Sequence, residues 1–107
     1  MANGNLGKLV STGGAYQMLS EVPATGVQFA TVFINAVNPT SLERNIKIAI
    51  STSATPAAYD HIQGLLPLEA NGGAYEYPAM IVNPGEKINV WSDEPGVVFS
   101  VHGMTQV

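Results

Sequence analysis

Apolar and polar residues alternate with a period of two along nearly the whole chain. In "RNIKIAIST" (Arg44 to Thr52), Ile46, Ile48 and Ile50 fall on one face and Lys47 on the other, the mark of a half-buried strand. "EKINVWS" (Glu86 to Ser92) sets Ile88 and Val90 against Lys87, Asn89 and Trp91. "GVVFSVHG" (Gly96 to Gly103) sets Val97, Phe99 and Val101 inward and Ser100 and His102 outward. "VQFATVFINAV" (Val27 to Val37) is apolar on both faces, with Phe29 and Phe33 on one and Val32 and Ile34 on the other. Such a run reads as a central strand covered on both sides, or as one covered by a neighbouring subunit. Weaker strands are expected at Gly7 to Val10, Ala15 to Glu21 and Ala74 to Val82. Pro78 puts the last of these at an edge or a bulge, because proline cannot donate to a ladder.

Turn signals separate these runs. Pro84-Gly85 after Asn83 predicts a type II turn, with Gly85 taking the positive φ. Asp93-Glu94-Pro95-Gly96 reads as an exposed hairpin turn that pairs Glu86 to Ser92 with Val97 to Val101, its charges dispensable for folding. Asn38-Pro39 and Asn71-Gly72-Gly73 break the chain elsewhere. "TPAAYDHIQGLL" (Thr55 to Leu66) is the one helix-like segment, but Gly64 interrupts it, so a single turn or a loop is expected. Seven or eight short strands with regular turns predict an all-β, antiparallel two-sheet sandwich, jelly-roll or immunoglobulin-like. Its expected core contains Ile46, Ile48, Ile50, Ile88, Val90, Phe99 and Val101. Residues 7–107 would form this single domain, with residues 1–6 as a flexible arm.

Composition adds a constraint that the pattern lacks. Only 11% of the 107 residues are charged, against about 25% in ordinary globular chains. A surface so poor in charge is weakly protected against association. We therefore expect part of it to be buried against another chain, with a monomer coated in neutral polar groups as the alternative. The net charge is −4, and the cations Lys8, Arg44, Lys47 and Lys87 are scattered, which argues against nucleic acid. There is no cysteine, hence no disulfide and no thiolate chemistry. The opening "MANGNLGKLV" has no long apolar segment, so neither a secretory signal nor a membrane partner is expected.

Candidate chemistry is sparse. His61 and His102 are the only histidines, too few for a zinc ligand set without cysteine, and no metal or cofactor is expected. Ser100, His102 and Asp93 are the residue types of a hydrolytic triad, but Ser100 lies mid-strand between Phe99 and Val101, where a nucleophile is not displayed. The Gly-Gly pairs of "STGGAY" and "ANGGAY" lack the following Lys and helix of a phosphate loop. No enzymatic activity is expected. Trp91, on the polar side of its strand, and Tyr59, Tyr75 and Tyr77 could stack on a sugar or anchor a protein; Trp91 covering a sandwich edge is the structural alternative.

The pieces "AISTSATPAAYDHI", "LEANGGAYEYPAMIVNPGEKINVWS" and "VVFSVHG", with the opening "LGKLVSTGGAYQMLSEVP", resemble small β-sandwich virion proteins of tailed bacteriophages. The likeness rests on Ala54-Thr55-Pro56, Asn71-Gly72, Pro84-Gly85-Glu86-Lys87 and Val101-His102-Gly103, and it departs in the acidic turn "SDEPGV". The resemblance implies a protein made in the bacterial cytoplasm and carried in many copies on the virion. Its implied role is a head decoration or cement subunit bridging capsomers, with a tail, baseplate or fibre component as the alternative and a carbohydrate-binding module as a further one. The implied partners are the major capsid protein, other virion proteins and further copies of itself, a trimer being favoured by analogy. Candidate contacts are Met1, Ala2, Asn3, Gly4, Asn5 and Leu6 of the arm, Asp93 and Glu94 of the turn, and a face carrying Trp91 and His102.

Overall fold

The computed structural model describes residues 3–23, 25–26, 29–53, 55–56 and 61–106. Among the described residues eight strands follow one another: β1 (Asn3–Val10), β2 (Gln17–Glu21), β3 (Phe29–Asn38), β4 (Arg44–Ser51), β5 (His61–Leu68), β6 (Gly73–Val82), β7 (Lys87–Ser92) and β8 (Val98–Gln106). They form two four-stranded antiparallel sheets, ordered β1-β8-β3-β6 and β2-β7-β4-β5. The inward residues of the two sheets meet in one core that includes Phe99, Ile34, Ile46, Ile48, Ile88 and Val90, as the alternation requires. Of the seven expected core residues only Ile50 is half-buried rather than buried.

The strand order decides between the two sandwich types. Every connection except β4 to β5 carries the chain from one sheet to the other. Eight strands wound in this way make a jelly roll, not an immunoglobulin sandwich. One expectation falls with this result. β7 and β8 do not pair: β7 lies between β2 and β4, while β8 lies between β1 and β3. The Asp93 to Gly96 turn is a corner between sheets rather than a hairpin. The reason is that both segments are central, so each needs two neighbours, and each finds them in a different sheet.

Two further segments differ from expectation. The second half of "TPAAYDHIQGLL" is not a turn or loop but part of β5; residues 54 and 57–60 lie outside the described residues. β5 is an edge strand with two register slips against β4, which is where Gly64 and Pro67 can be accommodated. Residues Asn3 to Leu6, expected as a flexible arm, belong to β1, with Asn3 opposite Met104 and Asn5 opposite His102. A neighbouring strand end supplied partners that the polar composition did not advertise. Met1 and Ala2 lie outside the described residues.

Other local readings hold. Gly85 has φ 84° and the Glu86 N–H donates to the Asn83 carbonyl at 3.1 Å, the geometry of a type II turn. Around Pro78, the β3–β6 register steps from Val32↔Met80 to Ile34↔Tyr77, a bulge on an edge strand. Phe99 is wholly buried between the sheets. Truncating it to Ala should cost about 3–5 kcal/mol in a denaturant titration. Deleting residues 98–107 removes β8 from between β1 and β3, and should abolish soluble, strand-rich protein as judged by yield and circular dichroism.

Candidate functional site

The candidate contact residues do not converge on one site. Trp91 points outward from the second sheet and His102 outward from the first, on opposite sides of the sandwich. The expected single face carrying both does not exist. The cause is the corner at Asp93 to Gly96, which sends β7 and β8 to different sheets. Tyr75 and Tyr77, in edge contact with ring centroids 5.0 Å apart, lie on β6 in the first sheet and do not join Trp91. Burial, and then the neighbouring Tyr75, push the Tyr77 phenol up to about 12. Tyr59 lies outside the described residues.

The outer side of the second sheet is occupied by its own residues. The Lys47 ammonium sits 4.4 Å from the centre of the Trp91 ring, a cation–π pair between directly opposed residues of β4 and β7. Beside them Asn89 and Ala49, also outward, are nevertheless buried. Asn89 Nδ2 donates at 3.1 Å to Ser51 Oγ and at 3.1 Å to the Ser53 carbonyl. Tyr16, just before β2, is hydrogen-bonded through its hydroxyl to Nε2 of His61 on β5. β2 and β5 are opposite edges of this sheet, so the contact reaches across β7 and β4. Lys87 and Glu21 form an ion pair at 3.0 Å along the same side.

The outer side of the first sheet is open. Five large apolar side chains stand on it: Val10, Phe33, Val37, Ile81 and Met104, between 36% and 63% exposed. His102 is exposed between them, directly opposite Phe33. The two-faced apolar pattern of β3 thus has a physical counterpart: Val32 and Ile34 enter the core while Phe33 and Val37 face out. The apolar positions lie on both sides of a polar row, Lys8–Ser100–Asn35–Glu76, and a face with this much exposed apolar surface marks an interaction surface. The sequence carried the signal in "FATVFINAV", but which neighbours would complete the face depended on the sheet order.

The acidic turn divides in two. Glu94 is exposed. Asp93 is engaged internally: the Asn45 N–H donates to Oδ1 at 2.9 Å, Asn45 Nδ2 donates to Oδ2 at 2.9 Å, and the Asp93 N–H donates to the Asn45 carbonyl at 3.0 Å. Against the expectation that both charges are dispensable for folding, the Asp93 carboxylate is hydrogen-bonded to Asn45 while Glu94 is exposed. Ser100 and His102 share the outer side of the first sheet, whereas Asp93 is held by Asn45 at the sheet corner. Among the described residues no three of His, Asp or Glu gather into a metal-binding group. At one end of the sandwich a cleft of about 330 Å³ opens between the sheets, lined by Leu6, Ser20, Val22, Ala30, Val32 and Ile88 among others. Comparison with family models, curated proteins and solved structures finds no match.

Burial raises the Asp93 pKa, but the hydrogen bonds from Asn45 and the local backbone outweigh it and hold the carboxyl below its ordinary value. A carboxyl with a lower pKa folded than unfolded stabilises the fold above its unfolded pKa. That contribution is lost as pH falls through the folded pKa. Urea midpoints should therefore decline on acidification through and below the ordinary Asp range. Asp93→Asn should be about 1–2 kcal/mol less stable at neutral pH and show a shallower acid decline, while Glu94→Gln should stay within about 0.5 kcal/mol of the parent.

Proposed function

We propose that the protein is a structural subunit of a tailed-phage particle, a head decoration or cement protein that works by burying surface against neighbouring chains. The observation that carries this reading is the open outer face of the first sheet. Charged residues make up 11% of the chain, and five of the exposed large apolar side chains, Val10, Phe33, Val37, Ile81 and Met104, stand on the outer side of this one sheet. A face like this is unfavourable in water and is stabilised by a partner. The jelly-roll order is compatible with the role, although the fold alone argues no function, and the resemblance in "NPGEKINVWS" and "VVFSVHG" supplies the phage context.

In this role the mechanism is passive. Each copy joins neighbours across a seam, and repeated modest contacts act together by avidity. A standard interface buries roughly 1,600 Å² in total, so a domain of this size would commit much of its surface to assembly. Glu94 and the His102 side are available for such contacts, whereas the Asp93 carboxylate is already engaged. No cofactor and no catalysis enter the proposal.

The test is cryo-electron microscopy of particles assembled with and without this gene. Density for the sandwich repeated over the head is expected, and particles lacking the protein should release their DNA at a lower temperature. Density confined to the tail or fibres would move the assignment there. Absence of the domain from purified particles would end the virion reading.

A further inference from the structure

We propose that the outer face of the first sheet is occupied by a second copy of this chain, related by a twofold axis parallel to the strands. The inference names the partner of the face on which the proposed function rests. The argument begins with the charges. Among the described residues of the four strands in this sheet, the charged ones are Lys8 on β1 and Glu76 on β6. Both are exposed. Both belong to one cross-strand row, Lys8–Ser100–Asn35–Glu76, at its opposite ends. Three strand spacings separate them, about 14 Å, too far to pair within one copy.

A face laid on itself must use a twofold axis. Two limiting orientations in the plane of the interface, perpendicular and parallel to the strands, keep the strands of the two copies aligned. An axis perpendicular to the strands and passing through this row would set Lys8 over the partner's Lys8 and Glu76 over the partner's Glu76, opposing like charges twice. An axis parallel to the strands, running between β8 and β3, exchanges the sheet edges. It sets Lys8 over the partner's Glu76 and Glu76 over the partner's Lys8. Lys8 and Glu76, the two charges of this sheet, have no ion-pair partner among the described residues and then pair with each other across the axis.

One apolar row is compatible with the same axis, whereas the row at the other end brings Met104 to the partner's Thr31 and Ile81 to its Asn3 position. The neighbouring row, Val10–Val98–Val37–Ala74, is apolar throughout, so Val98 comes over the partner's Val37. Toward the other end, Phe33 comes over the partner's His102, its own cross-strand neighbour within each copy. The footprint is sufficient for a weak specific dimer. Four strands at about 4.8 Å and about eight residues at about 3.4 Å give roughly 500 Å² per copy, about 1,000 Å² in total, the lower limit for a specific interface. A dissociation constant in the micromolar range is expected at that size. The threefold association that analogy suggests cannot lay this face on itself.

Sedimentation equilibrium of the whole chain over a wide concentration range tests the proposal. The parent should fit a monomer–dimer equilibrium that weakens with added salt. Lys8→Glu and Glu76→Lys should each weaken dimerisation about tenfold or more, and the double swap should recover most of the loss. A monomer at all concentrations, a trimer, or single swaps that change nothing would overturn it. A second measurement does not depend on affinity. The chain contains no cysteine, so Lys8→Cys and Glu76→Cys proteins each carry one thiol. Mixed under oxidising conditions, they should form the heterologous disulfide in preference to either homodisulfide; preference for homodisulfides would overturn the axis. A stable dimer absent from particles would count against the virion reading alone. A monomer that still decorates particles would count against this inference alone.

Discussion

The constraint on which this fold depends is backbone hydrogen bonding at the corners. Because all but one of the connections leave one sheet for the other, the ladders stop abruptly and strand ends enter the interior. Buried N–H and C=O groups without partners are costly. The chain answers with a few polar side chains placed at the corners. Buried Asn38 donates from Nδ2 to the carbonyls of Leu42, Leu68 and Glu69 and accepts at Oδ1 from Thr40. The hydroxyls of Ser11 and Ser92 share a 2.7 Å hydrogen bond, and Ser11 Oγ also accepts the Val97 N–H at 3.0 Å. Asp93 and Asn45 hold the next corner. Among the described residues no buried side-chain nitrogen or oxygen lacks a partner.

This division explains what was legible in the sequence. Inward positions follow from side-chain alternation, which is local, so Ile46, Ile48, Ile88, Val90, Phe99 and Val101 could be identified without knowing any neighbour. Turn residues with a backbone requirement, such as Gly85, were equally local. Pairing is not local. The Asp93 to Gly96 segment looks the same whether it closes a hairpin or rounds a corner, and only the competing strands β1, β3, β2 and β4 settle which. β5 is hard to read in the sequence because Gly64 and Pro67 weaken its pattern, while its edge position tolerates them. Trp91 and His102 share a face only if β7 and β8 pair; with the two strands in different sheets they stand on opposite sides.

The two outer sides of the sandwich now have different standing. On the second sheet, Lys47 covers Trp91, and the Tyr16–His61 contact crosses the sheet above strands whose outward residues Asn89 and Ala49 are buried. That side covers the middle of its sheet, while Met18 on β2 and Ile62 and Leu65 on β5 stay exposed on the flanking strands. On the first sheet nothing comparable is present among the described residues, and the apolar content of β3 is left facing out. Among the described residues, the difference arises from the loops: Tyr16, Thr52 and Ser53 reach over the second sheet, to His61, Lys87 and Asn89.

The placement of β8 between β1 and β3 also governs when the protein can fold. Synthesis delivers β1 first, yet its neighbour in the sheet is the eighth strand, and β3 likewise waits for it. Until β8 leaves the ribosome, Ile34 and Val32 have no completed core to enter and β1 has no ladder. The nascent chain must therefore carry open apolar edges through most of its translation, the condition under which unfinished β chains aggregate. Slower elongation ahead of β8 would prolong that exposure, and a holding chaperone would act on the chain before β8 emerges more than after it.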